Sequence, residues 1–164
     1  MYATAEALRD SLRRYATRVV GIDRADDVVQ ETFLRLWAAQ SPPRDEHLAQ
    51  WLFTVCRNIG MDIRRKEARM SPLPESHAEG RRDSEPPPPV VAQRRESVSA
   101  VLSALESLSP DQQETVRLRF QNGFSYKQIA EITGLSATNV GFVIHTAIKA
   151  IRQKLGAELP AGKA

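Results

Sequence analysis

Ser125-Tyr126-Lys127-Gln128-Ile129-Ala130-Glu131-Ile132-Thr133-Gly134-Leu135-Ser136-Ala137-Thr138-Asn139-Val140-Gly141-Phe142-Val143-Ile144-His145 is the stretch whose reading decides the fold. Ser125 with Gln128 three residues on is a capping box, which opens a short helix through Ile132. Gly134 supplies the left-handed turn that a residue with a Cβ resists. Ser136 then caps a final helix reaching about Leu155. Ala130 is small where two helices must cross closely, and Ile129, Leu135, Val140 and Ile144 supply the apolar contacts that lock them at a steep angle. The spacing predicts a helix-turn-helix; an ordinary helical hairpin that binds no DNA is the plainer alternative.

At about 100° per residue, Val140, Ile144, Ala147 and Ile151 fall in one narrow arc and face inward. Thr138, Phe142, His145, Lys149 and Arg152 fall on the opposite side and, with Ser136 and Ala137 at the helix start, are the groups placed to enter a major groove. Phe142 has two readings, since a large apolar side chain on a solvated face needs a reason. It touches a thymine methyl group, or it packs against a neighbouring helix. No second histidine lies near His145 in sequence, so a phosphate or base contact suits it better than metal ligation.

Working outward, Val98, Val101, Leu102, Leu105 and Leu108 mark a preceding helix. Ser109-Pro110-Asp111-Gln112 follows with a capping serine, proline at the first helical position and glutamine three residues later. That next helix stops near Gly123. Upstream, six of the ten prolines lie between Pro72 and Pro89, so 71–97 reads as an extended tether able to span roughly 80 Å. Residues 1–70 read as three helices. Leu8, Leu12, Tyr15 and Val19 form one amphipathic stripe. Val29, Phe33 and Leu36 form the inner face of a second helix starting near Asp26, whose other face carries Asp27, Gln30, Glu31 and Leu34. A third helix runs from about His47 to Arg69, with Leu52, Cys56, Ile59 and Ile63 inward and Arg57, Arg64, Arg65, Lys66 and Arg69 in its C-terminal half. No alternating stretch suggests a strand. The fold class is all-α: two small helical bundles joined by a proline-rich flexible linker, with domains at 1–70, 71–97 (linker) and 98–164.

In 164 residues, 41% are hydrophobic and 26% charged, which suits a buried core rather than a disordered chain. No run approaches the 18 or more apolar residues of a membrane span, so no direct membrane insertion is expected. Met1 to Glu6 shows no secretory signal. The single cysteine, Cys56, cannot form an internal disulfide and fits a reducing compartment; it reads as a structural thiol. Three scattered histidines, His47, His77 and His145, offer no zinc set, and no metal or other cofactor is expected. The lobes before and after the tether carry 12 Lys/Arg against 10 Asp/Glu and 7 against 5, and the tether 4 against 5.

Two motif sets in order resemble the sigma-70 family of bacterial transcription initiation factors, in its two-domain extracytoplasmic-function (ECF) group. The first is Asp26-Asp27-Val28-Val29-Gln30-Glu31-Thr32-Phe33-Leu34-Arg35-Leu36-Trp37, followed by Trp51-Leu52-Phe53-Thr54-Val55-Cys56-Arg57-Asn58, Asp62 and Arg64-Arg65. The second is Leu105 through Pro110 and Ser125 through Glu131, followed by the helix-turn-helix. The resemblance covers about 5–70 and 98–156. It implies a non-enzymatic cytoplasmic bacterial protein whose partners are core RNA polymerase, promoter DNA and an anti-sigma protein.

The resemblance also implies roles by position. Asp27, Gln30, Glu31 and Leu34 would dock on the clamp helices of the largest polymerase subunit, which suits an acidic face that has no business against phosphates. The third helix would recognise and melt the minus-ten element. There Arg57, Arg64, Arg65 and Lys66 would neutralise phosphates, and Asn58 and the loop from Ser41 to Leu48 would lie near the unpaired strand. Trp37 and Trp51 read more readily as core than as stacking platforms, and Asp62 as a buried partner for an arginine. The last helix would read the minus-thirty-five element with Ser136, Ala137, Thr138, Phe142, His145 and Lys149. Here the sequence departs from the family's pattern, in which several basic residues come early in this helix. In this chain Lys149, Arg152 and Lys154 come late, which implies a shallower salt dependence. Glu75, Glu79, Asp83 and Glu85 would let the tether occupy a nucleic-acid channel before RNA arrives.

Two other classes compete. A stand-alone dimeric helix-turn-helix regulator has no need of the acidic face in the first lobe. An enzyme acting on nucleic acid would need clustered metal-binding carboxylates, a glycine-rich phosphate loop or a nucleophile–base pair, and the sequence offers none as a motif.

Overall fold

A computed structural model describes residues 2–70 and 89–158, with side chains over 4–70 and 98–156. Among the described residues there are eight α-helices and no strand: α1 (Tyr2–Ala7), α2 (Arg9–Val20), α3 (Ile22–Ala38), α4 (Asp45–Met70), α5 (Pro89–Glu106), α6 (Pro110–Phe120), α7 (Tyr126–Thr133) and α8 (Ala137–Glu158). The chain divides into two compact units, the first built on α1 to α4 and the second on α5, α6 and α8.

In the first unit α2, α3 and α4 pack on one another, and α1 packs on α2 and α4. Leu12, Val28, Leu36, Leu48, Leu52 and Phe53 lose essentially all exposure, and each contributes on the order of 2 kcal/mol by leaving water. The Tyr15 and Phe53 rings meet with centroids 5.1 Å apart at a tilt of 50°. Buried Thr32 donates its hydroxyl to the Val28 carbonyl at 2.7 Å, which satisfies the one polar group that α3 takes inside. The inner stripes anticipated for α3 and α4 are buried, except that Ile63 is only half-buried. The second helix starts at Ile22 rather than near Asp26. Gly21, at φ 84°, reverses the chain directly, and its N–H closes α2 on the Thr17 carbonyl at 2.9 Å.

Gly60 matters for a different reason. It is buried in α4, and a Cβ built there would lie 2.6 Å from Val19 Cγ1 and 3.2 Å from Val20 Cγ1. The absent side chain is what lets α4 approach α2, and the β-branched valine opposite has little rotamer freedom with which to yield. Cys56 is buried on the same helix. Burial pushes its thiol up to about 12, against a hydrogen bond with Thr32 that works the other way.

In the second unit both capping boxes form. Ser109 Oγ accepts from the Gln112 N–H while the Gln112 side chain accepts from the Ser109 N–H. Ser125 and Gln128 do the same, and Ser136 Oγ accepts from the Asn139 N–H at 3.2 Å. Gly123 and Gly134 sit at φ 75° and 78°. Leu108, Val116 and Ala147 form a buried cluster, flanked by Leu105, Ala150 and Ile151. Arg119 donates to the Phe124 carbonyl at 3.0 Å and lies 5.4 Å over the Tyr126 ring, which ties down the loop before α7. Val98, Val101 and Leu102 of α5 are 54%, 40% and 50% exposed, whereas Ala104 near its end and Leu108 just beyond it are buried.

The tether expected over 71–97 is corrected at its far end, where α5 already opens at Pro89. Proline suits the first turn of a helix, whose N–H groups have no partner within it, and Val90 to Ser97 contains no residue that breaks one. Nine helical residues rise about 13 Å, against about 28 Å at polyproline rise. The rest of that stretch, 71–88, with Glu75, Glu79, Asp83 and Glu85, lies outside the described residues, as does the tail 159–164.

Two glycine substitutions should move stability in opposite directions. Gly60→Ala gains about 1 kcal/mol of helix propensity but meets Val19, and overpacking of this kind costs about 1–3 kcal/mol. Chemical denaturation should show a net loss that Val19→Ala relieves; a more stable single variant would contradict the packing. At Gly141 a Cβ would find the Tyr126 ring at an ordinary 3.5 Å, so Gly141→Ala should stabilise the free protein by up to about 1 kcal/mol. A loss of stability there would show a constraint that the free fold does not contain. At pH 8, iodoacetamide should modify Cys56 only as fast as the first unit opens. Rapid labelling with helicity intact would contradict its burial.

Candidate functional site

Three surfaces carry the residues anticipated from sequence. On α3, burial of Val28, Val29, Thr32, Phe33 and Leu36 turns the other stripe outward. Asp27 and Gln30 are exposed, Leu34 is 48% exposed and Glu31 is half-buried. At 100° per residue the four span about 100° of arc, so the fold does bring them together. Glu31 accepts from Arg35 Nε at 2.9 Å, and Asp26 is held by Arg13 at 2.6 Å. Asp27 has no ion pair among the described residues, which leaves it the free carboxylate of the face. Both pairs lie between exposed side chains and contribute little to stability.

Trp37 corrects the sequence reading. It is 55% exposed rather than in the core, although its ring lies 6.2 Å from that of Phe33, itself capped by the Arg9 guanidinium at 4.9 Å. Three residues beyond Leu34, it extends the outer stripe of α3 by one turn. The i, i+3 spacing from Leu34 was the available signal. Trp51 is half-buried.

The cationic end of α4 does not form a single face. Asn58, Arg65 and Arg69 are exposed and share one stripe. Arg57 and Arg64 lie roughly 90° from it, and Lys66 about 180° from Arg57. Arg57 is half-buried, while Arg64 and Lys66 are exposed and carry no ion pair among the described residues. Arg65 pairs with Asp62 at 2.9 Å, and Glu67 with Arg24 at 2.9 Å. Asp62 is therefore an arginine partner as anticipated, but an exposed one, its side chain 59% accessible. The helix presents cations around most of its circumference, an arrangement suited to phosphates approaching from more than one side. Arg69, counted among the cations of this half but not among the expected phosphate contacts, is exposed beside Asn58 and Arg65. The loop before the helix exposes Ser41, Pro42 and Arg44; the rest of the expected loop, Asp45 to Leu48, is the first turn of α4, where Leu48 is buried.

On α8, Val140, Ile144 and Ala147 are buried at 0%, 2% and 0% exposure, and Ile151 is half-buried. That fixes the rotation of the helix about its axis. Ser136, Ala137, Thr138, Phe142, His145, Lys149 and Arg152 are all exposed, as the periodicity requires. Between the two readings of Phe142, packing against a neighbour is not what the fold shows: it is 68% exposed. Lys154 donates to the Ser103 carbonyl of α5 at 2.9 Å, so it serves the fold of this unit and leaves Lys149 and Arg152 as the cations of the outer stripe.

No helix of the described residues is long and apolar enough to cross a membrane. Among the described residues no group of three or more His, Cys, Asp or Glu side chains is placed to hold a metal ion.

Comparison with known proteins adds independent findings. The family model described as Sigma-70 region 2 matches residues 4–70, and that described as Sigma-70, region 4 matches residues 99–151. The chain is 34% identical over 153 residues to the ECF RNA polymerase sigma factor SigL of Mycobacterium tuberculosis, covering 88% of this chain and 84% of that protein. It is 36% identical over 152 residues to the ECF RNA polymerase sigma factor EcfG of Rhodopseudomonas palustris, covering 91% and 79%. Its fold is similar to that of the sigma factor RpoE of Bartonella quintana, solved in complex with the anti-sigma factor NepR. That match has a TM-score of 0.64 and 26% identity over 91% of this chain and 92% of that one. With both regions matched in order and relatives of one kind along nearly the whole length, the chain belongs to the sigma-70 family of RNA polymerase sigma factors, in its ECF group.

Proposed function

We propose that this protein is a non-enzymatic promoter-specificity subunit. It binds core RNA polymerase through the outer face of α3 and directs initiation at promoters read by α4 and α8. The observation that carries the reading is a shared geometry. In α3 and in α8 alike, the stripe opposite the buried one holds the residues that the family resemblance assigns to partners. An outward acidic and apolar face, Asp27-Gln30-Glu31-Leu34, suits a protein partner. An outward face with Ser136, Thr138, His145, Lys149 and Arg152 suits duplex DNA. Residues 1–70 act at the minus-ten element, 98–164 at the minus-thirty-five element, and the stretch between them tethers the two.

On α4, Arg57, Arg64, Arg65 and Lys66 supply phosphate contacts, and Asn58 faces the unpaired strand. Trp37 joins the polymerase-docking surface. An anti-sigma protein, as in the complex of the similar RpoE with NepR, holds the factor inactive by covering surfaces it needs for polymerase. Its place of action is the bacterial cytoplasm, where core polymerase and promoter DNA are found.

Run-off transcription with added core polymerase on genomic fragments tests the reading. Discrete start points that appear only with this chain are expected; none, combined with tight binding of some duplex by the chain alone, would overturn it in favour of a stand-alone regulator. In a polymerase pull-down, Asp27→Ala with Glu31→Ala should reduce capture by roughly tenfold, about 1.4 kcal/mol. Undiminished capture would remove α3 from the docking surface. For promoter binding by the polymerase complex, Lys149→Ala should weaken all sequences alike and lower the salt slope by about 1. A change in sequence preference with the slope intact would instead make Lys149 a base-reading residue.

A further inference from the structure

Phe142 is the most exposed large apolar side chain of α8, and nothing within its own unit accounts for it. It projects from the middle of the outer stripe, between Thr138 one turn before and His145 one turn after, with 68% of its surface in water. Its own carbonyl is occupied by the Thr146 hydroxyl at 2.9 Å, so the polar group nearest its base is already satisfied within the helix. Beside it, Gly141 presents almost no side-chain bulk, its one close neighbour being the Tyr126 ring.

The chemistry of that surface can be narrowed. From Ala137 to Thr146 there is no Asp, Glu, Lys or Arg, and α8 carries no acidic residue before Glu158. Lys149 and Arg152 follow on the same stripe. An apolar tip backed by cations and free of carboxylates is complementary to a groove walled by phosphates, whose floor displays one apolar group, the thymine 5-methyl. A protein partner would be expected to meet a broader apolar patch. Here the neighbours of Phe142 on the outer stripe are hydroxyl, imidazole and ammonium groups.

We infer that Phe142 is a specificity-determining residue of the upstream promoter element, reading one or more thymine methyl groups by direct apolar contact in the major groove. This deepens the promoter-reading assignment of α8 and rests on it. It replaces charge-assisted contacts early in the helix with contact to base edges, so discrimination by this unit depends on methyl groups more than on salt.

The test uses the full chain with core polymerase on a promoter defined by run-off transcription. Each upstream thymine is replaced in turn by uracil, which keeps every hydrogen-bonding atom and removes only the methyl. Wild type should lose about fourfold in binding at one or two positions, the effect of one buried methyl. Phe142→Ala should lose a similar factor on the thymine promoter and be indifferent to uracil, and Phe142→Leu should keep part of the uracil sensitivity. Initiation that is intact in wild type and unaffected by uracil at every upstream position would overturn the inference and leave the function standing. So would equal uracil sensitivity in wild type and Phe142→Ala. Weaker capture of polymerase by Phe142→Ala, with uracil sensitivity unchanged, would also overturn it, by making this residue a protein contact. Failure of wild type to initiate anywhere would sink the function and this inference together.

Discussion

Removing Val140, Ile144 and Ala147 from water is the constraint on which the reading surface depends. A helix has one rotational degree of freedom about its axis, and three aliphatic side chains recurring at four and three residues leave it one low-energy setting. Rotating α8 by 100° in one sense would expose roughly 5 kcal/mol of apolar side chain while burying His145 and Arg152 without partners. The outward direction of Thr138, Phe142 and His145 is therefore a consequence of the core. Gly134 and the Ser136 cap fix where the helix begins, and the buried stripe fixes which way it faces.

The same economy operates in the first unit. Burial of Val28, Val29, Thr32, Phe33 and Leu36 phases α3, and that phase places two carboxylates, an amide and two apolar side chains, Leu34 and Trp37, along its outer edge. On α4 burial stops after Ile63: residues 64–70 are all exposed, and the helix runs on with no inward side to protect. Charges are then free to spread round more than half of its circumference, as Arg64, Arg65, Lys66 and Arg69 do. A ring of cations gives affinity for phosphates without direction. Under the proposed function, sequence discrimination in this unit falls to the loop ahead of the helix and to Asn58.

Much of this was legible in the sequence because it rests on local rules. Capping boxes at Ser109 and Ser125, the turn at Gly134 and the inner stripes of α3, α4 and α8 involve residues within four positions of one another, and each formed as read. What escaped depends on distant partners. Gly60 is an unremarked helix residue until α2 is laid across it and Val19 fills the space. Trp37 looks apolar and core-like, yet it lies on the outer stripe of α3 and is 55% exposed. Lys154 read only as one of the late cations of the last helix, and nothing local in sequence points to the Ser103 carbonyl of α5 that takes its ammonium. Prolines misled in one place: a run of four reads as a helix breaker, whereas its last member, Pro89, opens α5.

The central claim is that the face of α8 opposite its buried stripe meets promoter DNA when polymerase holds the protein. Photo-crosslinking tests it most directly, with a photoreactive amino acid placed singly at Thr138, Phe142, His145, Val143 or Ala150 in the complex with core polymerase and a mapped promoter. The account predicts crosslinks to the upstream promoter duplex from 138, 142 and 145, and little or none from 143 and 150, which lie on the flank toward the buried side. Equal crosslinking from all five positions, or crosslinks from the outer three to polymerase alone, would contradict it.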